Sequence, residues 1–181
     1  MMRVNSVQLG MTIPLQKFLK APKPPYGDPI DPFFCWEIHK VPDVQWSTLI
    51  AVNASNRYSL AFVGMKVSNW KHIPELVNEG LWKALILDGY TFDEVETYLA
   101  AAGSPEFTKT HGRRSVAGLN RAVEMLHWTY EEVDRNRLFQ PDLSQILNNE
   151  LCTAANFPSK EYGYPREFFR FDMQRLGIKF A

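Results

Sequence analysis

The sequence predicts a single α+β domain spanning 1–181, with a small mixed or antiparallel sheet covered by several helices. Three observations predict it. Apolar residues alternate with period two at Val7, Leu9, Met11, Ile13 and Leu15, and β-prone runs return between 48 and 63. From residue 70 onward the apolar period becomes helical. A chain of 181 residues, 45 % hydrophobic and 22 % charged, can bury a core without disulfide or metal staples.

The elements follow in order. The first alternating segment reads as a half-buried strand, ended by Pro14, which cannot donate to a sheet ladder. Gln16 to Lys20 forms a short helical turn. Ala21 to Pro32 holds Pro22, Pro24, Pro25, Pro29 and Pro32 and reads as extended loop, packed on the surface or offered to a partner as a polyproline ligand. If Phe33 to Lys40 is a strand, Phe34, Trp36 and Ile38 share one face. Thr48 to Asn53 and Tyr58 to Val63, joined by Ala54-Ser55-Asn56-Arg57, form the clearest hairpin. Both of its faces are apolar, which places it inside a sheet covered on two sides.

Pro74 opens a helix whose stripe is Val77, Leu81, Ala84 and Leu85, with Gly89 after its end. Thr91 and Glu94 make a capping box for the next helix, which Gly103 stops. Phe107 to Thr110 is β-prone and His111 to Arg114 turns. Ser115 reads as the N-cap of an amphipathic helix running to about Arg137. Helices over 142–151 and 166–176 close one end of the domain. The sheet takes the N-terminal strand, the 48–63 hairpin and the strand ending at Thr110; its strand order stays open.

Composition narrows the function. Lys plus Arg and Asp plus Glu are 20 each, so the net charge is zero, which argues against a surface that grips nucleic acid throughout. Cys35 and Cys152 lie far apart, so neither a cysteine-built zinc site nor a disulfide scaffold is expected. Cys35 reads as a small buried hydrophobe rather than a nucleophile. No long apolar segment and no signal peptide is visible, so a soluble cytoplasmic protein without a membrane role is expected. The phosphate-loop, dinucleotide, zincin and nucleophile-elbow motifs are absent, and the four histidines form no i,i+4 pair. No metal and no cofactor is therefore predicted.

Two local clusters carry candidate chemistry. Lys109, Arg113, Arg114 and Ser115 surround a helix start, where free N–H groups and a partial positive charge favour an anion. The same arginines could instead pair with Glu94 or Glu96 and stitch the domain together, which the neutral net charge favours. Asn120, Glu124, His127 and Glu131 form a polar stripe along the following helix. They read as a solvated helix edge, or as an acid–base pair at Glu124 and His127. The five tryptophans read as core and loop anchors, or as a stacking surface.

Trp46-x-x-Leu49-Ile50-x-Val52-Asn53, followed by Leu60 and Phe62, resembles the first half of an uncharacterised bacterial domain-of-unknown-function family. Thr108-Lys109-Thr110 and Arg114-Ser115-Val116-x-Gly118 resemble its most recognisable motif, a strand end and the opening of a helix that carries an asparagine. The Asp142-Leu143 helix and the loop to Pro165 are also similar, so the resemblance spans residues 46–170. It implies a small soluble protein of bacterial or mobile-element origin, with no activity to carry over. Three functional classes follow, in order: a non-enzymatic binding or regulatory protein acting through a protein partner; a nucleotide or nucleic-acid binder using Lys109, Arg113 and Arg114; and an enzyme with a site around His111, Asn120, Glu124 and His127.

Overall fold

The computed structural model describes residues 6–178, so residues 1–5 and 179–181 of the predicted domain lie outside the described residues. The fold is α+β. Five strands, β1 (Ser6–Met11), β2 (Cys35–Lys40), β3 (Thr48–Asn53), β4 (Ser59–Val63) and β5 (Ser104–Lys109), pair in the order β4-β3-β2-β1-β5. The three strands β2, β3 and β4 form an antiparallel meander. β1 lies parallel to both of its neighbours, β2 and β5. The helices are α1 (Ile13–Leu19), α2 (Val67–Trp70), α3 (Ile73–Leu87), α4 (Phe92–Ala102), α5 (Arg113–Thr129), α6 (Pro141–Asn148) and α7 (Pro165–Arg175).

Period two assigns the two faces of the sheet. Leu9 and Met11, Trp36 and Ile38, Leu49 and Ala51, and Leu60 and Phe62 share one face. They pack against Val77, Leu81 and Leu85 of α3, Val95 and Tyr98 of α4, and Phe169 and Met173 of α7. On the other face, Ile50, Val52, Ala61 and Val63 meet Leu119, Ala122 and Leu126 of α5 and Leu143 and Leu147 of α6. Every residue of β3 and β4 is buried, as their apolar faces predict. The second cluster draws its strand residues from β3 and β4. Over β2, β1 and β5, the residues on the α5 side are Cys35, Glu37, His39, Gln8, Gly10, Glu106 and Thr108. This polar part of the sheet carries the site.

Several local readings change. The first strand ends at Met11, earlier than the Pro14 expected to end it. Thr12 then caps α1, its Oγ1 accepting from Leu15 N, and Pro14 sits in the first turn, where its missing N–H costs nothing. Ile13 is consequently exposed while Leu15 is buried. Phe33 to Lys40 does contain a strand, and β2 lies at the centre of the sheet. The strand before α5 begins at Ser104, well before Phe107. α5 starts at Arg113 and ends at Thr129, followed by a single 3-10 turn, so it is shorter than the predicted 115–137. Its N-cap is Gly112, not Ser115. The capping box of Thr91 and Glu94 is present as predicted.

Candidate functional site

β5 delivers the chain to a sharp turn. Gly112 has φ +107°, a conformation L side chains rarely adopt, and from it α5 departs at once. No side chain caps this helix start. Its first-turn amides therefore face outward without an intrahelical acceptor, at the positive end of a 17-residue helix. They open onto a cleft of about 660 Å³. Lys109, His111, Arg113, Arg114 and Ser115 form one side of it, and Tyr26, Asp28, Pro29 and Ile30 of the proline-rich loop form the other. Gln8 and Cys35 lie at its floor, and Asn156 borders it.

The structure thus brings Lys109, Arg113, Arg114 and Ser115 together in one cleft. The arginines do not bind Glu94 or Glu96. Arg114 Nη2 donates to the carbonyl oxygens of Ala154 and Phe157, both at 3.1 Å, and so holds the 154–157 loop. Arg113 is exposed and makes no ion pair among the described residues. The ammonium of Lys109 lies 4.0 Å from the centre of the Tyr26 ring, and Lys109 N donates to Pro25 O, fixing the proline-rich loop against the end of β5. Ser115 is 6 % exposed, and its Oγ has no hydrogen-bond partner.

Beneath the cationic rim lies a buried polar cluster that the sequence reading missed. Glu37, fully buried at the middle of β2, accepts from the backbone N of His111 at 3.2 and 3.1 Å through its two oxygens. Its Oε1 also meets His111 Nδ1. His111 Nε2 lies 2.8 Å from Gln8 Oε1. Gln8 Nε2 in turn donates to Asp28 O at 2.7 Å. Because a carbonyl oxygen only accepts, the Gln8 atom facing it is the amide nitrogen, and Oε1 is the atom facing His111. His111 Nε2 therefore carries a hydrogen, while a proton is held between Nδ1 and the Glu37 carboxylate. Gly10, beside Glu37 in the β1–β2 register, makes room for this pair. A Cβ there would lie 2.6 Å from Glu37 Oε1 and 2.9 Å from His111 Nδ1.

The thiol of Cys35 is buried and unpaired with the other cysteine. Burial, with Glu37 and Asp31 adding to it, pushes its thiol up to about 12. His39, on the same face of the sheet, is lowered by burial and by Lys40, and its Nδ1 lies 2.7 Å from Thr12 Oγ1.

The other candidates are not brought to the cleft. Asn120 is exposed on α5. Glu124 pairs with Arg121 at 2.8 Å. The ring nitrogens of His127 lie 2.8 Å from the carbonyl oxygens of Val123 and Pro42. Glu124 and His127 do not meet, and His127 sits about 20 Å along the helix from the cleft at 1.5 Å rise per residue. The four-residue enzyme site of the sequence reading therefore keeps only His111. The tryptophans form no common surface: Trp36 is fully buried, Trp46 stacks on Tyr130, Trp82 meets Phe92, and Trp128 is exposed alone. Among the described residues, no group of three or more His, Cys, Asp or Glu side chains could hold a metal ion, and no helix is long and apolar enough to cross a membrane.

The signal for Glu37 was present but unread. In a strand alternating Trp36 and Ile38, the intervening carboxylate has to face the same side as Gln8 and Gly10 once β2 lies beside β1.

Comparison with curated proteins gives no match, and comparison with solved structures gives none. A family model does match, over residues 8–168, a stretch that takes in β1 from Gln8 on, the proline-rich loop and every cleft residue named above. On that match the chain belongs to the family described as Domain of unknown function (DUF6933).

Proposed function

We propose that the protein binds an anionic small molecule through a phosphate group held at the start of α5. The observation that carries this reading is a cationic helix start whose donors the protein does not consume. Among the described residues, Arg113 is without an ion pair, Arg114 binds only carbonyl oxygens, and Ser115 Oγ is buried without a partner. A phosphate supplies the acceptors these groups lack, through charge-assisted hydrogen bonds from the guanidinium groups and the free amides. Asp28 is the one carboxylate side chain among the described residues that line the cleft, with Glu37 buried beneath His111, against three cations. The volume falls within the usual ligand-pocket range of about 300–1,000 Å³. A net charge of zero gives no overall attraction for a polyanion, so a small molecule suits the site better than a polymer.

Titration calorimetry with inorganic phosphate and pyrophosphate tests the reading. Binding is expected to weaken with added salt. Arg113→Ala is expected to weaken it by roughly tenfold or more, the worth of a hydrogen bond to a charged group. Binding unaffected by Arg113→Ala, or no binding, would remove the reading.

A second reading, a protein partner, draws on the outer face of α3 and the start of α4, where Ile86, Leu87 and Phe92 are exposed. Capture with the wild-type chain beside Leu87→Asp tests it. A protein retained equally by both would take that surface out of consideration.

A further inference from the structure

We infer that the cleft hydrolyses a phosphate ester, with His111 as general acid and Glu37 as the positioning residue beneath it. The inference rests on the phosphate reading above and adds a reaction to it. Its basis is the buried hydrogen-bond chain Glu37–His111–Gln8–Asp28 at the cleft floor, separate from the cationic rim. Glu37 is fully buried, and His111 keeps part of its side chain exposed, so the ring stands between the carboxylate and the cleft. The carboxylate holds the ring from two directions, at Nδ1 and at the residue's own backbone N–H. A histidine serving only to fill space needs neither a buried charged partner nor a glycine on the neighbouring strand to make room for it. Both cost stability, and what they secure is one fixed orientation of the ring.

The orientation also decides which proton role is open. Nε2 carries a hydrogen and points it at an oxygen, that of Gln8, at 2.8 Å. A leaving-group oxygen that shares the Nε2 hydrogen with Gln8 Oε1 meets a donor, so His111 acts as an acid. With the phosphate at the α5 start, water attacks phosphorus and forms the new P–O bond. The bond to the ester oxygen breaks, and its electron pair stays on that oxygen, which takes the Nε2 proton. The attacking water leaves one hydrogen on the new phosphate, and its other proton restores Nε2. As the Nε2 hydrogen leaves and returns, Glu37 holds the ring at Nδ1 in one orientation. The helix amides and the arginines bear the charge of the transferred group.

The experiment compares two probes on the full chain, phenyl phosphate and 4-nitrophenyl phosphate. Phenoxide leaves poorly without a proton, whereas nitrophenoxide leaves well without one. The wild-type chain is expected to hydrolyse both. His111→Gln is expected to lose about 10²–10⁴-fold on phenyl phosphate and far less on 4-nitrophenyl phosphate. Glu37→Gln, which keeps the shape of the carboxylate, is expected to show the same split at smaller size and to serve if the histidine variant does not fold. Equal losses on both probes would make the pair structural and overturn the acid role. Phosphate binding, read by calorimetry, without turnover of either probe would overturn the reaction and leave the binding reading standing. Absence of phosphate binding would remove both.

Discussion

Gly10 shows how much a single missing methyl group governs at this site. Its neighbours across the strands are Glu37 and Thr108, and the space a Cβ would occupy is filled by Glu37 and His111. Neither side chain is free to swing aside, because the carboxylate is fixed by a backbone N–H and the ring by Gln8. Gly10→Ala is therefore expected to cost about 1–3 kcal/mol, the usual penalty for overpacking a closed site. A urea denaturation curve measures it, and a midpoint unchanged from wild type would mean that the cluster is looser than its contacts indicate. Single residues were also where sequence reading stopped short. Lys109, Arg113 and Arg114 were legible because cations around a helix start stand out in one dimension. Glu37 and Gln8 were not, because their meaning depends on β1 and β2 being adjacent and parallel. No local pattern states that pairing.

At the scale of elements, β4 has the most to hide. It ends the sheet, and an uncovered edge would offer a row of backbone donors and acceptors to another chain. The chain covers it twice. Val63 N donates to Leu138 O and Gln140 N to Ala61 O, so the segment before α6 pairs with part of the edge. Helix α6 covers the rest with side chains: Ser144 Oγ accepts from Ala61 N, while Asn148 accepts from Ser59 N and donates to Ser59 O. Asn148→Ala would leave both groups of Ser59 buried and unpaired. It is expected to destabilise the fold by about 1–3 kcal/mol for such an unsatisfied group, measured by the same denaturation curve. The opposite edge, β5, is protected differently, by Pro105 and the exposed Glu106. The hairpin, the capping box and the amphipathic helices were readable in advance because their signals are local. The first strand was misjudged where two periods overlap: Ile13 and Leu15 continue an alternation, yet Thr12 and Pro14 begin a helix.

Over the whole molecule, α7 binds distant parts together. Asp172 is buried and accepts from Ser55 Oγ at 2.6 Å and Asn56 Nδ2 at 2.9 Å, fixing the turn between β3 and β4. Arg175 donates to Asp172 and reaches across to Asp31 with two bonds, of 2.6 and 2.9 Å, at the end of the proline-rich loop. The loop that walls the cleft is thereby held at both ends, at Asp31 by α7 and at Pro25 by Lys109. Burial raises the Asp31 carboxyl, but the Arg175 hydrogen bonds, the Phe33 N–H and the Arg175 charge outweigh it and leave it below the usual carboxylate value. A lowered carboxyl contributes stability that is complete above its unfolded value and is lost as pH falls through its folded value. Asp31→Asn is therefore expected to be less stable than wild type at neutral pH, with the difference closing below about pH 4. Urea midpoints measured from pH 7 down to pH 2 check this, and a difference that stays constant across the range would count against the tie.

The position of β1 also has a consequence for the order in which the protein is made. Ser6 is synthesised nearly a hundred residues before Ser104, its partner in the sheet. The meander of β2, β3 and β4 can assemble on the ribosome from neighbouring segments, while β1 keeps one flank open until β5 emerges. His111 follows β5 directly and Gln8 lies in β1, so the cleft floor forms at the step that closes the sheet. A nascent chain halted before residue 104 leaves one flank of β1 unpaired and has no site. The functional surface and the last backbone pairing of the sheet therefore mature together, and a chain able to bind has already completed its sheet.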